Sequence, residues 1–216
     1  MKRILATCCL CFCLTSIQTH ASNSATGADQ LTEIETETVD QLYVNPNADF
    51  SHYNNLALAV TEVEFRERSY RSWFNSRAQM KRAMDNAIPQ IQHSFDEAFR
   101  KVINEQGDFQ LVEHLDEKTL VIVPRLVNVY LNNLDEMAHA TPTRVYSESA
   151  GHMTLVLDLY DSVSGEMLAR VIDHQQATEW GRFVRQSSVD NNRQVKRLAT
   201  NWATDLNQGL SQSRQQ

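Results

Sequence analysis

The chain has 216 residues, of which 42% are hydrophobic and 22% charged, and its formal net charge is −7. An acidic chain is a poor general partner for nucleic acid or for anionic membrane, since both repel it. Six glycines and four prolines are too few for a low-complexity protein, and no internal period points to a solenoid.

The N-terminus reads as an export signal. Met1-Lys2-Arg3 is a short positive opening, residues 4–17 carry no charge, and Thr19 and Ala21 place small residues where a signal peptidase reads. That order predicts a cleavable signal over residues 1–21. Its apolar part is short for a permanent anchor, which needs about 20 residues. Cys8, Cys9, Cys11 and Cys13, all the cysteines of the chain, lie inside it. Cleavage near Ala21 would leave a mature chain with no disulfide, no thiolate metal site and no cysteine nucleophile. The expected location is periplasmic or exported. The alternative is an outer-membrane lipoprotein, but Cys8 has almost no apolar run before it and Cys13 follows the bulky Phe12.

Residues 22–37 are small, polar and acidic, and predict a disordered leader that cannot bury enough surface to offset its ordering entropy. A single domain is expected over 38–211, with a disordered tail at 212–216. Asn45-Pro46-Asn47 is turn chemistry. Leu56, Leu58 and Val60 alternate, and the phase then slips to Val63 and Phe65. This predicts one strand with a bulge near Thr61. Residues 66–77 form an irregular basic and aromatic stretch. Ile88, Ile91, Phe95, Ala98, Phe99, Val102 and Ile103 fall three and four apart, which is one helical face. Pro89 belongs in the first turn of that helix or kinks a longer one beginning near Ser76, and Gly107 ends it.

Residues 109–112 predict a short strand. Residues 120–131 are a nearly continuous apolar run that reads as a central strand covered on both faces, with Pro124 marking a bulge or an edge. Residues 132–147 read as a loop. Met153, Leu155, Leu157 and Leu159 alternate with Thr154, Val156, Asp158 and Tyr160, a strand with one face inward. Asp161-Ser162-Val163-Ser164-Gly165-Glu166 is a hairpin turn, and residues 167–177 return as the partner strand. A last helix of about 20 residues starts near Asn191, with Val195, Leu198, Ala199, Trp202, Leu206 and Leu210 as its stripe. The fold class is α/β in an α+β arrangement: a mixed, mostly antiparallel sheet of about five strands with two main helices packed on it.

Tyr43-Val44-Asn45-Pro46, then Ala48-Asp49-Phe50-Ser51 and Tyr53, and later Asp161-Ser162-Val163-Ser164-Gly165-Glu166-Met167-Leu168-Ala169 with Asp173, resemble the bacterial envelope family called domain of unknown function 3313. The resemblance spans residues 38–210. It implies a small α/β envelope protein, usually a lipoprotein, with no established activity and no catalytic residues to carry over. The missing clean lipobox departs from that pattern.

The chain has no phosphate-binding glycine loop, no Gly-x-Ser-x-Gly elbow and no His-Glu-x-x-His spacing. His152 and His174 could face one another across the final hairpin, near Asp158 and Asp173, but solvent-facing strand residues explain them more simply. No cofactor or metal is implied. Asp161 reads as the holder of the hairpin turn. The most distinctive segment carries Arg66, Arg68, Arg71, Arg77, Lys81 and Arg82 against the single acid Glu67, with Tyr70, Trp73 and Phe74 interleaved. Trp180, Arg182, Phe183 and Arg185 form a second cluster. Arginine beside large aromatics is the composition of interface hot spots and suits anionic headgroups or polymers. The simpler account is that Trp73 and Phe74 close over the sheet while the arginines solvate the surface. The functional expectation is a non-enzymatic accessory or binding protein that docks to an envelope protein or an anionic envelope component through Arg66, Arg68, Tyr70, Arg71, Trp73, Phe74, Arg77, Trp180, Arg182 and Phe183. The same patch would allow peripheral membrane association and no nucleic-acid binding. The competing expectation is a periplasmic hydrolase or metal-assisted enzyme with a dispersed site.

Overall fold

Among the described residues, ten strands and two long helices emerge from the alternation and three-four spacing of the sequence. The computed structural model describes residues 30–131, 134, 145–147, 151–176, 184–186 and 188–214. The strands are β1 (Thr32–Ile34), β2 (Gln41–Val44), β3 (Asn55–Leu58), β4 (Glu62–Phe65), β5 (Gln110–Leu111), β6 (Thr119–Leu131), β7 (Val145–Ser147), β8 (Gly151–Asp161), β9 (Met167–Gln176) and β10 (Val184–Gln186). The helices are α1 (Arg77–Gln106) and α2 (Ser188–Ser213). An eight-stranded mixed sheet runs β1-β2-β9-β8-β6-β3-β5, with β4 also paired to β6. β7 and β10 form a separate two-stranded antiparallel sheet. The α+β class is as expected, with eight strands in the main sheet where about five were anticipated.

The helices share one face of the sheet. Ile91, Phe95 and Phe99 of α1 and Val195, Leu198 and Trp202 of α2 join Leu120, Ile122, Leu126, Leu155, Leu157 and Leu159 in a single core cluster. Burial of these side chains, each stabilising by roughly 1.5–3 kcal/mol, is what commits the periodic segments to their elements. Ser76 caps α1, its Oγ accepting from the Gln79 amide at 3.2 Å. Gly107 ends the helix with φ 76°, its amide bonded to the Ile103 carbonyl. Pro89 lies inside α1, so the longer of the two expected helices is the one that forms. Pro89 and Asp85 are both exposed. The carbonyl that the missing proline N–H would have bonded can therefore turn to water.

Six expectations change. β3 and β4 are separate strands, parallel to successive stretches of β6, with the break across residues 59–61. Pro124 lies opposite that break, within a central strand. The Ile122 carbonyl bonds Ala59 on the β3 side. By strand alternation, Pro124 then turns its missing donor toward the gap, where no ladder bond is asked of it. β6 alternates between buried and half-buried side chains rather than being buried on both faces. The acidic leader contributes β1, whose three exposed residues pair with β2 through backbone alone. At the other end α2 continues to Ser213. Arg214 bonds Asn54 and the Asp108 carbonyl and lies over the Phe109 ring, so the expected tail at 212–216 is held as far as Arg214. The expected loop at 132–147 includes β7.

The hairpin turn forms as expected. Asp161 Oδ1 accepts from the amides of Val163 and Ser164 and from the Ser164 hydroxyl, and Asp161 Oδ2 accepts from the Tyr53 hydroxyl at 2.8 Å. These donors hold the Asp161 carboxyl at about 2, below the ordinary carboxylate range, led by the Ser164 amide.

Candidate functional site

The basic segment begins where β4 ends at the buried Phe65. The Arg66 amide bonds the Val129 carbonyl, and a 3-10 turn over Glu67–Tyr70 follows. Tyr70 then drops into the core, fully buried. Its hydroxyl accepts from the Leu131 amide at 2.6 Å and donates to the Leu131 carbonyl at 3.0 Å. Burial pushes its pKa up. Tyr70 is therefore the pin that fastens the segment to β6 and cannot itself meet a partner, a correction to its place among the surface residues.

A bulge in β6 prepares the receiving end. The register with β8 shifts between Val127 and Tyr130, and Asn128 takes φ 53°, a conformation asparagine tolerates better than most residues. Opposite, Gly151 approaches so closely that a Cβ there would lie 2.0 Å from the Tyr130 carbonyl oxygen. Tyr130 is thereby set beside the segment. Its ring lies 5.2 Å from Tyr70 and 6.3 Å, edge-on, from Trp73. Trp73 is 44% exposed on top of this aromatic base. The ring row continues through His152, stacked on Tyr130 at 5.3 Å, to His174 at 5.7 Å. Burial, then His174, then Arg66 lower the His152 pKa.

Around Trp73 the guanidinium groups differ in their company. Arg66, Arg68, Arg71 and Arg77 are exposed. Arg77 reaches Glu67 at 3.7 Å across an open surface, a contact of little consequence. Lys81 is paired to Asp85 at 2.9 Å. Arg68 and Arg71 have no acid partner among the described residues. Arg71, Phe74, Asn75, Ser76, Arg77 and Met80 line a cavity of about 380 Å³ at the start of α1. The first turn of α1 has no acid, so the positive end of the helix dipole adds to the two arginines. Phe74 is half-buried and packs against the core. Chemically, the arrangement offers the guanidinium donors of Arg68 and Arg71 to an anionic group, with the half-exposed Trp73 ring beside them. Trp180, Arg182 and Phe183 lie outside the described residues.

Sequence reasoning missed a second arginine cluster. On the sheet face away from the helices, Asp158 of β8 is 3% exposed. Arg170 of β9 grips both of its oxygens, Nη2 to Oδ2 at 2.8 Å, and Arg125 of β6 adds Nη2 to Oδ2 at 3.2 Å. Asp173, by contrast, faces the helices and accepts the Trp202 indole N–H at 2.7 Å. The two aspartates thus stand on opposite sides of the sheet and do not join His152 and His174. Among the described residues no group of three or more His, Cys, Asp or Glu side chains is placed to hold a metal.

The sequence profile of the family described as "Protein of unknown function (DUF3313)" matches residues 21–206. No curated protein sequence matches the chain. Among solved structures, a PelC dodecamer from Paraburkholderia phytofirmans is similar at 8% identity and TM-score 0.39, covering 74% of this chain and 96% of that one. A minor lipoprotein from Acinetobacter baumannii is similar at 10% identity and TM-score 0.34, covering 75% and 95%. At this level of likeness neither neighbour says what this chain binds or assembles into.

Proposed function

The chain belongs to the DUF3313 family of proteins of unknown function, and from that premise we propose that it is an exported envelope accessory protein that docks onto an acidic surface of an envelope partner. The observation that carries this reading is the pair Arg68 and Arg71, exposed and without acid partners among the described residues, beside the exposed Trp73 and the cavity at the start of α1. In a chain of net charge −7, cations left unpaired on a pinned segment are available to a partner's carboxylates or phosphates. Tyr70 supports the reading indirectly, because it removes the segment's freedom before any partner arrives and so lowers the ordering cost of docking.

Export rests on residues 1–21 and their charge, apolar and small-residue order. Among the described residues no helix is long and apolar enough to cross a membrane. The N-terminal mass of the protein recovered from the periplasm tests the first half of the proposal: a chain beginning at Ser22 is expected, and a full-length chain in the cytosol contradicts it. Reversing Arg68 and Arg71 to Glu tests the second half. Capture of envelope material by in-cell crosslinking should fall to background in the double variant. Undiminished capture removes this segment from the account.

A further inference from the structure

The chain carries its charge in two opposed blocks. Residues 29–49 hold six acids and no base, and residues 66–82 hold six bases against the single acid Glu67. In the acidic block, Asp40 accepts from the His174 amide and Asp49 from the Ser51 amide. Glu33 on β1, and Glu35 and Glu37 in the bend that follows, are exposed and have no base partner among the described residues. β1 is the end strand of the main sheet, and no described strand pairs with its outer edge. Ile34, within it, is 45% exposed, close to the 44% of Trp73. Each block therefore presents unpaired charge around one exposed apolar side chain, and the two charges are of opposite sign.

The two blocks cannot satisfy one another within one chain. β2, β9 and β8 lie between β1 and β6, which sets β1 and β6 about 19 Å apart at the usual strand spacing. Through the pairing registers, Ile34 stands level with Pro124 of β6. The basic segment is fastened at Leu131, about 20 Å further along that strand. Nor does β1 suit pairing with another β1, since two such edges laid antiparallel would crowd their glutamates together. We propose that β1 and the bend after it dock on the basic segment of a second copy of this chain. Glu33, Glu35 and Glu37 of one copy meet Arg68 and Arg71 of the other, and Ile34 packs on Trp73. An apolar contact ringed by complementary charge is the arrangement of an interface anchor. This deepens the docking function above and rests on it, naming the acidic partner surface as the edge strand of a neighbouring copy. The overall charge of −7 repels two copies at long range, so the contact depends on complementarity within the physiological screening length of about 8 Å.

Sedimentation velocity of the chain as recovered from cells tests the proposal. Self-association that grows with concentration is expected of the wild type. Arg68→Glu with Arg71→Glu should weaken it about a hundred-fold or more, because like charges then face each other. Glu33→Lys with Glu35→Lys and Glu37→Lys should weaken it as much for the same reason. All five side chains are exposed, so the circular dichroism of each variant should overlay that of the wild type. Mixing the two variants should restore association, since the intact acidic edge of one meets the intact basic segment of the other. A wild type that stays monomeric overturns the proposal, as does either variant that still self-associates, or a mixture of folded variants that does not associate. The docking function outlives each of those results if crosslinking in cells still captures a different protein through Arg68 and Arg71.

Discussion

Arg125 and Arg170 on the sheet, and Arg68 and Arg71 before α1, are the same side chain put to opposite uses. On the sheet, two guanidinium groups spend their donors on one buried carboxylate, with side-chain exposures of 35% and 25% against 4% for Asp158. Before α1, two guanidinium groups are exposed and have no acid partner among the described residues. The first cluster is structural, because its charges are satisfied inside the chain. The second can act on something else, because its charges are not. Density of arginine along the sequence does not separate these cases, whereas pairing in space does.

The sharpest way to break this comparison is to remove Asp158. Asp158→Ala leaves two half-buried cations facing one another without their carboxylate and should destabilise by about 3 kcal/mol or more in urea unfolding. Replacing Asp158, Arg125 and Arg170 together with valine should cost much less, since a satisfied buried ion pair contributes little over apolar packing. Tyr70→Phe comes next. It leaves the buried Leu131 amide without its acceptor and should cost about 2 kcal/mol, while circular dichroism shows the fold intact.

Asp161→Asn should cost about 1 kcal/mol at neutral pH, since three of the bonds it weakens are exposed and screened. Its sign with pH is fixed by the carboxyl's downward shift. The stabilisation is complete above the ordinary carboxylate range and is lost as pH falls through about 2. The gap between wild type and Asp161→Asn should therefore close on acidification from pH 5 to 2. A gap that widens contradicts the role given to this side chain. The smallest effect on stability belongs to Arg68→Glu with Arg71→Glu, whose unfolding curve should overlay that of the wild type.

Much of the fold was legible in the sequence. The stripe from Ile91 to Ile103, the strict alternation of Met153 to Leu159 and the hairpin turn at Asp161 each state their element in a few residues. β1 was not legible, because Thr32–Ile34 buries no side chain and is ordered only by backbone pairing to β2. The Asp158–Arg170 pair was hidden by one residue. Counting outward from the turn, where the Asp161 amide bonds the Glu166 carbonyl, sets Asp158 across from Ala169. The bulge between Leu159 and Tyr160 moves it to Arg170. The isolated signal was an acid on the half-buried face of an otherwise apolar strand. In the basic segment, composition identified the surface but misassigned Tyr70, since its partner, the Leu131 backbone, lies 61 residues away.

The most direct test of the docking account places a photocrosslinking amino acid at position 73, in otherwise wild-type protein and in the Arg68→Glu, Arg71→Glu variant, inside living cells. A third protein carries the crosslinker at Val163, an exposed apolar residue on the hairpin turn. The account predicts a discrete adduct from position 73 that disappears on charge reversal, and none from position 163. An adduct from 73 that survives charge reversal, or one of equal yield from 163, contradicts it.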